Sequence, residues 1–459
     1  MDRSSWFSSA YVLASILIIS TVLRVILCLS GGQDYWPDEH KENPDLILSG
    51  LIHRDYNEVL RGLDRPERPM FAAIGVIPAA VGRVTGRSRM VCALFFSMAS
   101  VVSIWVLAAI ARELGADDVE SLLAAALLAL SASFLYWSRH VQPYDLATMF
   151  VLVALLVGVR AGATSRHMYL CGIISGVAFL TYPGYWSSVI AVPAICVIQG
   201  SVNGRDPVRN SLLAIVGVLS VLGLAVAIDL AFGGFVLARF ISYSGTVNQG
   251  SFQEGWSLPF EYLWHAEHLL LVLWLASVVW ALSRLDASAR IGVGLFGALF
   301  IYAMLVISSI GLYKFVVYGR MARQLVPFFC LITAAAIGSL WRSSRASIRS
   351  AAAVIVGVTV VQALLNFWRP FVQTFPADFI ARYRPSAAIA AQYERLIWLN
   401  AEHLYPGPDA VTLPPHYVTL AEARHPLEFL PYQYEGFTPE ARAALRASDI
   451  RMRLVGVLP

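Results

Sequence analysis

Apolar stretches of about 20 residues, joined by short polar turns, recur along this chain. A bilayer core admits only backbone whose N–H and C=O groups are paired internally, so such stretches read as membrane-spanning helices. The clear ones are residues 11–29, 90–111, 121–137, 212–235, 263–282, 291–312, 325–341 and 351–367, with 144–159 shorter but uniformly apolar. Residues 168–198 are too long for one untilted crossing, and Thr181-Tyr182-Pro183-Gly184-Tyr185-Trp186 interrupts them. Pro-Gly is a strong break signal, so two short helices are expected to meet there. A single kinked helix is the alternative, and it reverses everything that follows. Residues 70–82 contain Pro78 and suit an interfacial or re-entrant segment better than a crossing. The expected fold class is an all-α polytopic membrane protein with about 11 transmembrane helices.

Composition agrees. Of the 459 residues 58% are hydrophobic and 14% charged, against about 25% charged in an ordinary soluble domain. A soluble enzyme and a disordered chain are excluded. A net charge of +4 with no basic stripe also argues against a nucleic-acid partner. Cys28, Cys92, Cys171, Cys196 and Cys330 all lie in apolar runs, at no metal-ligand spacing, and read as packing residues. The first run carries Arg24 and lacks a small-residue cleavage site, so it is read as a retained helix rather than a signal peptide.

With the N-terminus inside, the cytoplasmic turns hold more basic residues than the short outer segments, in the direction of the positive-inside bias. Polar residues then gather in four outer places: the loop 31–68, residues 136–145, residues 239–262 and residues 312–324. Residues 368–459 form a polar, proline-rich tail on the same side, read as a small extracytoplasmic domain after a membrane domain spanning 1–367.

The first loop places Asp34, Asp38 and Glu39 beside the membrane surface. Neighbouring carboxylates point in different directions, which suits separate roles: one as general base on an incoming hydroxyl, the other orienting it. A solvated acidic loop is the plain alternative. Arg139 and Tyr144 sit at a helix start, where a guanidinium fork, a phenol and the helix field all favour phosphate. Interface anchoring is the alternative. Lys314, Tyr318, Arg320 and Arg323 form a second basic cluster, which an anionic headgroup or a substrate phosphate explains. His53, Arg54, Arg65 and Arg68 join the same pocket. His265 and His268 flank Glu267 at a spacing that invites a metal reading, although a boundary location is more ordinary. An outer pocket of acids and arginines on an apolar scaffold implies a substrate that is half lipid and half polar.

The order of these motifs resembles the GT-C class of membrane glycosyltransferases. The similarity is to the protein O-mannosyltransferase, lipid A aminoarabinose transferase and bacterial galacturonosyltransferase-like subgroup. Asp38-Glu39 matches that family's acidic pair after the first helix. Arg68-Pro69-Met70-Phe71 stands where the family has a basic-Pro-Pro-apolar step, so the second proline is missing here. Ser138-Arg139, Pro143-Tyr144, the step from Gly176 to Thr181, Tyr318-Gly319-Arg320, Arg323 and Pro327 complete the match. The resemblance covers roughly residues 1–340 and leaves the tail unmatched.

The resemblance implies a GT-C-type bundle and inverting transfer of a sugar from a polyprenyl-phosphate donor to an acceptor hydroxyl on the outer face of a bacterial inner membrane. Asp38 is then the base and Glu39 places the acceptor. Arg139, Tyr144, Lys314, Arg320 and Arg323 hold the donor phosphate. Asp34, His53, Arg68 and Tyr182 belong to the acceptor or loop pocket. The acceptor is a glycan, a lipid or a protein. No metal site is assigned; the acids permit a divalent metal, but no ligand spacing requires one. A flippase of a lipid-linked glycan and a lipid phosphate phosphotransferase are the competing readings. A transporter is expected to bury more charge inside its helices than Arg24 and Asp229 provide.

Overall fold

The computed structural model of the chain describes residues 3–29, 43–55, 59, 68–139, 141–160, 164–231, 258–284, 288–308, 319–367, 427–429 and 452–454. The first helices are α1 (Arg3–Leu29), α2 (Asn43–His53), α3 (Pro69–Thr85), α4 (Ser88–Glu113), α5 (Asp118–Leu130) and the single turn α6 (Ala132–Tyr136). A 3-10 turn, Trp137–Arg139, leads to α7 (Tyr144–Val159), α8 (Ser165–Thr181), α9 (Trp186–Val202) and α10 (Pro207–Ala231). Then come α11 (Leu258–Glu267), α12 (Leu269–Leu282), α13 (Ala289–Val306), the short α14 (Gly319–Ala322), α15 (Val326–Trp341) and α16 (Ala346–Phe367).

Seven of these stretches are long and apolar enough to cross a membrane, while α3, α7 and α12 are shorter and apolar. The chain is an integral membrane protein. In the tail only the strands β1 (Leu427–Phe429) and β2 (Met452–Leu454) are described, paired in parallel with Leu427 opposite Met452. The remainder of 368–459 lies outside the described residues.

Side-chain pairs fix the direction of the helices. Cys28 faces Ser97 and Arg24 bonds Ser100, so α1 and α4 run antiparallel. The chain therefore enters α4 from the end where it left α1; α3 between them is one of the shorter apolar helices. Pro69 starts α3, and Gly86 stops it at φ 67, a left-handed value that glycine adopts without steric cost.

The Pro-Gly break is a true reversal. Cys171 and Cys196, about equally far from it, meet at 3.9 Å, so α8 and α9 form an antiparallel hairpin. Alongside, α10 runs parallel to α8. Gly172 abuts the Ala214 carbonyl, and Gly176 lies against Val218 and Val221. In lipid no hydrophobic effect drives helices together, so close backbone approach at small residues is what holds such a pair.

Two stretches expected as continuous helices are broken. Residues 121–137 divide at Ser131 into α5 and α6, and residues 263–282 divide at His268, whose φ is 49. Both breaks lie at the end of the bundle that carries the Pro-Gly turn and the start of α15.

The opposite end is closed by charge. Asp117 caps α5 by accepting from the Glu120 amide at 2.8 Å. Glu120 is buried and pairs with Arg290 (2.6 Å) at the start of α13 and with Arg342 at the end of α15. Partial burial lowers the Arg342 pKa, but hydrogen bonding and the charges of Glu120 and Asp117 outweigh that, and the net direction is upward. Arg160 reaches Glu113 at 3.8 Å at the same end. With α15 buried at the centre and α10 and α16 exposing Leu, Ile and Val outward, the bundle has one charged, clamped end and one end of broken helices.

Candidate active site

The end with broken helices gathers aromatic rings from segments far apart in sequence. Tyr136 and Trp137 come from α6 and its 3-10 turn, Tyr144 from the start of α7, and Tyr182 and Tyr185 from the α8–α9 turn. They form one edge-to-face row with successive centroids 4.8, 4.8, 4.9 and 5.2 Å apart. Edge-to-face packing suits the ring quadrupoles and makes a stiff bed.

Arg68 lies on this bed, and Arg323 lies beside it. Arg68, buried at the start of α3 where the first loop ends, stacks over Tyr182 with 5.0 Å from guanidinium carbon to ring centroid. Arg323 is fully buried in the 3-10 turn Arg323–Leu325 before α15. It forms an ion pair with Asp145 in the first turn of α7 and covers the Phe134 ring at 4.4 Å. Charge at such depth is tolerated only when paired and hydrogen-bonded, and Asp145 meets that need. Arg24 of α1 is also fully buried; it bonds Ser100 and the Ser20 carbonyl (3.1 Å), and it lies within electrostatic reach of both Asp145 and Arg323.

Gln324 fixes the turn that carries Arg323. Its side-chain oxygen accepts from Ser187 Oγ (3.0 Å), Ser188 Oγ (2.7 Å) and the Ser188 amide (3.3 Å). Its amide nitrogen donates to the carbonyls of Gly184 (3.3 Å) and Met321 (3.2 Å). One side chain thus satisfies backbone groups freed at two helix breaks, which a membrane interior demands. Glu267 accepts four hydrogen bonds from the start of α6.

Of the residues expected from sequence, Arg68, Tyr144, Tyr182 and Arg323 are brought together here. Tyr144 and Arg323 are fully buried. Arg139 closes the 3-10 turn beside the row, and Arg320 lies in α14 just before Arg323; their side chains fall outside the described residues. Asp34, Asp38, Glu39 and Lys314 also lie outside them. His53 ends α2 on an exposed face, and no described contact joins it to the row. Among the described residues no three His, Cys, Asp or Glu side chains form a metal-binding group. The Glu267 carboxylate, flanked by the two histidines, is used by Ser131 and Ser133 instead.

Sequence reasoning missed Asp145, Phe134, Gln324 and the structural use of Glu267. Asp145 sat one residue from Tyr144 and carried a signal: an acid inside an apolar helix needs a partner. Phe134 carried none.

Solved structures share this architecture. ArnT from Cupriavidus metallidurans, bound to undecaprenyl phosphate, aligns with TM-score 0.53 at 14% identity over 98% of this chain and 90% of its own. The chain has the GT-C fold. The Archaeoglobus fulgidus oligosaccharyltransferase AglB, in complex with an inhibitory peptide and a dolichol-phosphate, aligns with TM-score 0.52 at 14% identity over 96% of this chain. The same oligosaccharyltransferase tethered to an acceptor peptide aligns with TM-score 0.50 at 14% identity over 98% of this chain. This GT-C chain spans 64% of the length of that oligosaccharyltransferase.

The family model described as dolichyl-phosphate-mannose-protein mannosyltransferase matches residues 64–228. That segment holds Arg68, Tyr144, Asp145 and Tyr182 of the site described above, and the break at Ser131. A comparison with curated proteins gave no match.

Proposed function

We propose that this GT-C protein transfers a sugar from a polyprenyl-phosphate carrier to an acceptor hydroxyl, with inversion, on the outer face of a bacterial inner membrane. The observation that carries the reading is the pair of buried guanidiniums, Arg68 over Tyr182 and Arg323 beside Asp145, at one aromatic bed where the first outer loop ends. Such a pair suits a phosphate whose lipid tail stays in the bilayer. The polyprenyl phosphates held by ArnT and AglB, and the dolichyl-phosphate-mannose description of the matching family model, support the same class of donor.

In this reading Asp38 takes the acceptor proton as the acceptor oxygen bonds to C1 of the sugar from the face opposite the phosphate. The C1–O bond to phosphate breaks, and polyprenyl phosphate departs with the electron pair. Arginines aimed at the developing charge lower the barrier, and no strong general acid is needed. Glu39, with Asp34, places the acceptor. Arg68, Arg139, Lys314 and Arg320 meet the phosphate. Tyr144 and Arg323, both fully buried, back the site, and the Arg323 guanidinium adds its positive field at the phosphate. Residues 1–367 form the membrane domain, and 368–459 an outer domain.

The test is a transfer assay on membranes with a radiolabelled polyprenyl-phosphate sugar. Asp38→Asn is expected to lose transfer while still binding the donor. Full transfer by that variant removes Asp38 as the base. A reporter fused after Phe367 is expected to read as external; a cytoplasmic signal there overturns the orientation.

A further inference from the structure

We infer that Glu267 is a positioning residue for the donor-phosphate site, latching two helix breaks so that Phe134 is held under Arg323; the link to the donor rests on the function proposed above. Glu267 ends α11 at the His268 break and is buried. Its Oε1 accepts from Ser131 Oγ (2.5 Å), Ser133 Oγ (2.6 Å) and the Ser133 amide (2.9 Å), and its Oε2 from the Ala132 amide (3.0 Å). These donors are the opening groups of α6 at the other break, Ser131. The Glu267 backbone carbonyl, freed by its own break, accepts from Gln362 of α16.

A buried carboxylate is costly to desolvate and is retained where donors surround it. Four donors on one carboxylate tie the α5–α6 break to the α11–α12 break, with α16 as a third attachment.

The path from the latch to the site is short. α6 is one turn long, and the amides of Phe134 and Leu135 bond the Ser131 carbonyl at 3.2 and 3.1 Å. The ring that Arg323 covers therefore lies within one turn of the latch. The same turn delivers Trp137 edge-on to Tyr144. On the other side, α11 packs against α14, which carries Arg320 and runs directly into Arg323. One carboxylate thus bears on the segments of both Arg139 and Arg323. A merely structural capping residue would stabilise the fold without setting the geometry of Arg323.

The test uses the full chain in detergent, without substrate. Amide hydrogen exchange is compared between wild type and Glu267→Gln, whose amide sets an N–H₂ against N–H donors. Exchange is expected to quicken about tenfold in residues 131–139 and also in 319–325, with residues 113–120 at the clamped end unchanged. Quickening confined to 131–139, or in neither segment, overturns the inference. If Glu267→Gln loosens the whole bundle, Ser133→Ala, which removes one of the four bonds, replaces it and must show the same two-segment pattern; quickening confined to 131–139, or in neither segment, overturns the inference there too.

In the transfer assay the donor KM is expected to rise about tenfold with kcat within about twofold. Phe134→Leu is expected to reproduce that rise and to add little to Glu267→Gln, because both act through one contact. Additive effects overturn the path through Phe134. The exchange result does not depend on substrate identity. A wild-type protein inert toward every polyprenyl-phosphate sugar would therefore defeat the proposed function while leaving the latch standing.

Discussion

Replacing Asp145 by Asn isolates the ion pair at the centre of the site. The Asp145 side chain is 4% exposed and Arg323 is 0% exposed, so neither is screened by water. Removing one partner of a buried pair costs about 3–5 kcal/mol, because the other charge stays buried without its counter-ion. The Phe134 face under Arg323 contributes about 0.5–2 kcal/mol and does not offset that loss. Removing both charges, with Asp145→Leu and Arg323→Met, is expected to be close to neutral, since apolar isosteres of a buried pair often match or exceed it. The variants form a double-mutant cycle, read by thermal unfolding in detergent with Asp145→Asn, Asp145→Leu, Arg323→Met and the double replacement. The expected coupling equals the two single losses together, about 6–10 kcal/mol, because the double replacement recovers both. The double variant should be stable yet inactive in transfer, which separates the fold's need for neutrality from the site's need for a guanidinium. Asp145→Asn within about 1 kcal/mol of wild type, or a double variant as unstable as the sum of its singles, refutes the reasoning.

Other substitutions probe the bed, a helix pair and the clamp. Arg68→Lys keeps the charge but loses the planar stack on Tyr182, so donor KM should rise several-fold, less than for Arg68→Ala, in the transfer assay. Gly172→Ala drives a methyl into the Ala214 carbonyl and should cost about 1–3 kcal/mol or more, seen as a lower Tm, because backbone cannot turn aside as a side chain can. Gly338→Ala puts a Cβ 2.8 Å from Glu120 Oε1 and pushes that carboxylate off Arg290 and Arg342. It should lower Tm by a similar amount while leaving donor KM unchanged, because the clamp lies at the other end of the bundle.

Much of the membrane architecture was legible because a bilayer is a stringent solvent. Any stretch such as 90–111 or 212–235 must be a helix, since its backbone has no other partner in lipid. The reversal at Pro183-Gly184 was legible for a related reason: proline and glycine act locally and need no distant contact. The breaks at Ser131 and His268 were not legible. Residues 121–137 and 263–282 read as continuous apolar helices, and what ends them is a bond between the two, 136 residues apart in the case of Ser131 and Glu267. Local propensity carries no record of such a bond.

The site divides in the same way. Arg68, Tyr144, Tyr182 and Arg323 were singled out because arginine and tyrosine at helix ends are conspicuous against an apolar background. Their mutual geometry was not available from spacing. Tyr144 could be an interface anchor or part of a bed until Tyr182 stood 4.9 Å from it.

The sequence by itself determined that the chain lives in a membrane, roughly where it crosses, and which few polar side chains are available for chemistry. These follow from properties each segment carries alone: length, hydropathy, and the cost of unpaired backbone in lipid. Only the tertiary structure decided that Arg323 is neutralised by Asp145, that Gln324 and Glu267 satisfy backbone and side-chain groups at the broken helices, and that Arg68 lies on Tyr182. Each of those is a contact between segments far apart in the chain. In a low-dielectric interior the worth of a charge is set by what faces it, and what faces it is fixed only when the helices pack.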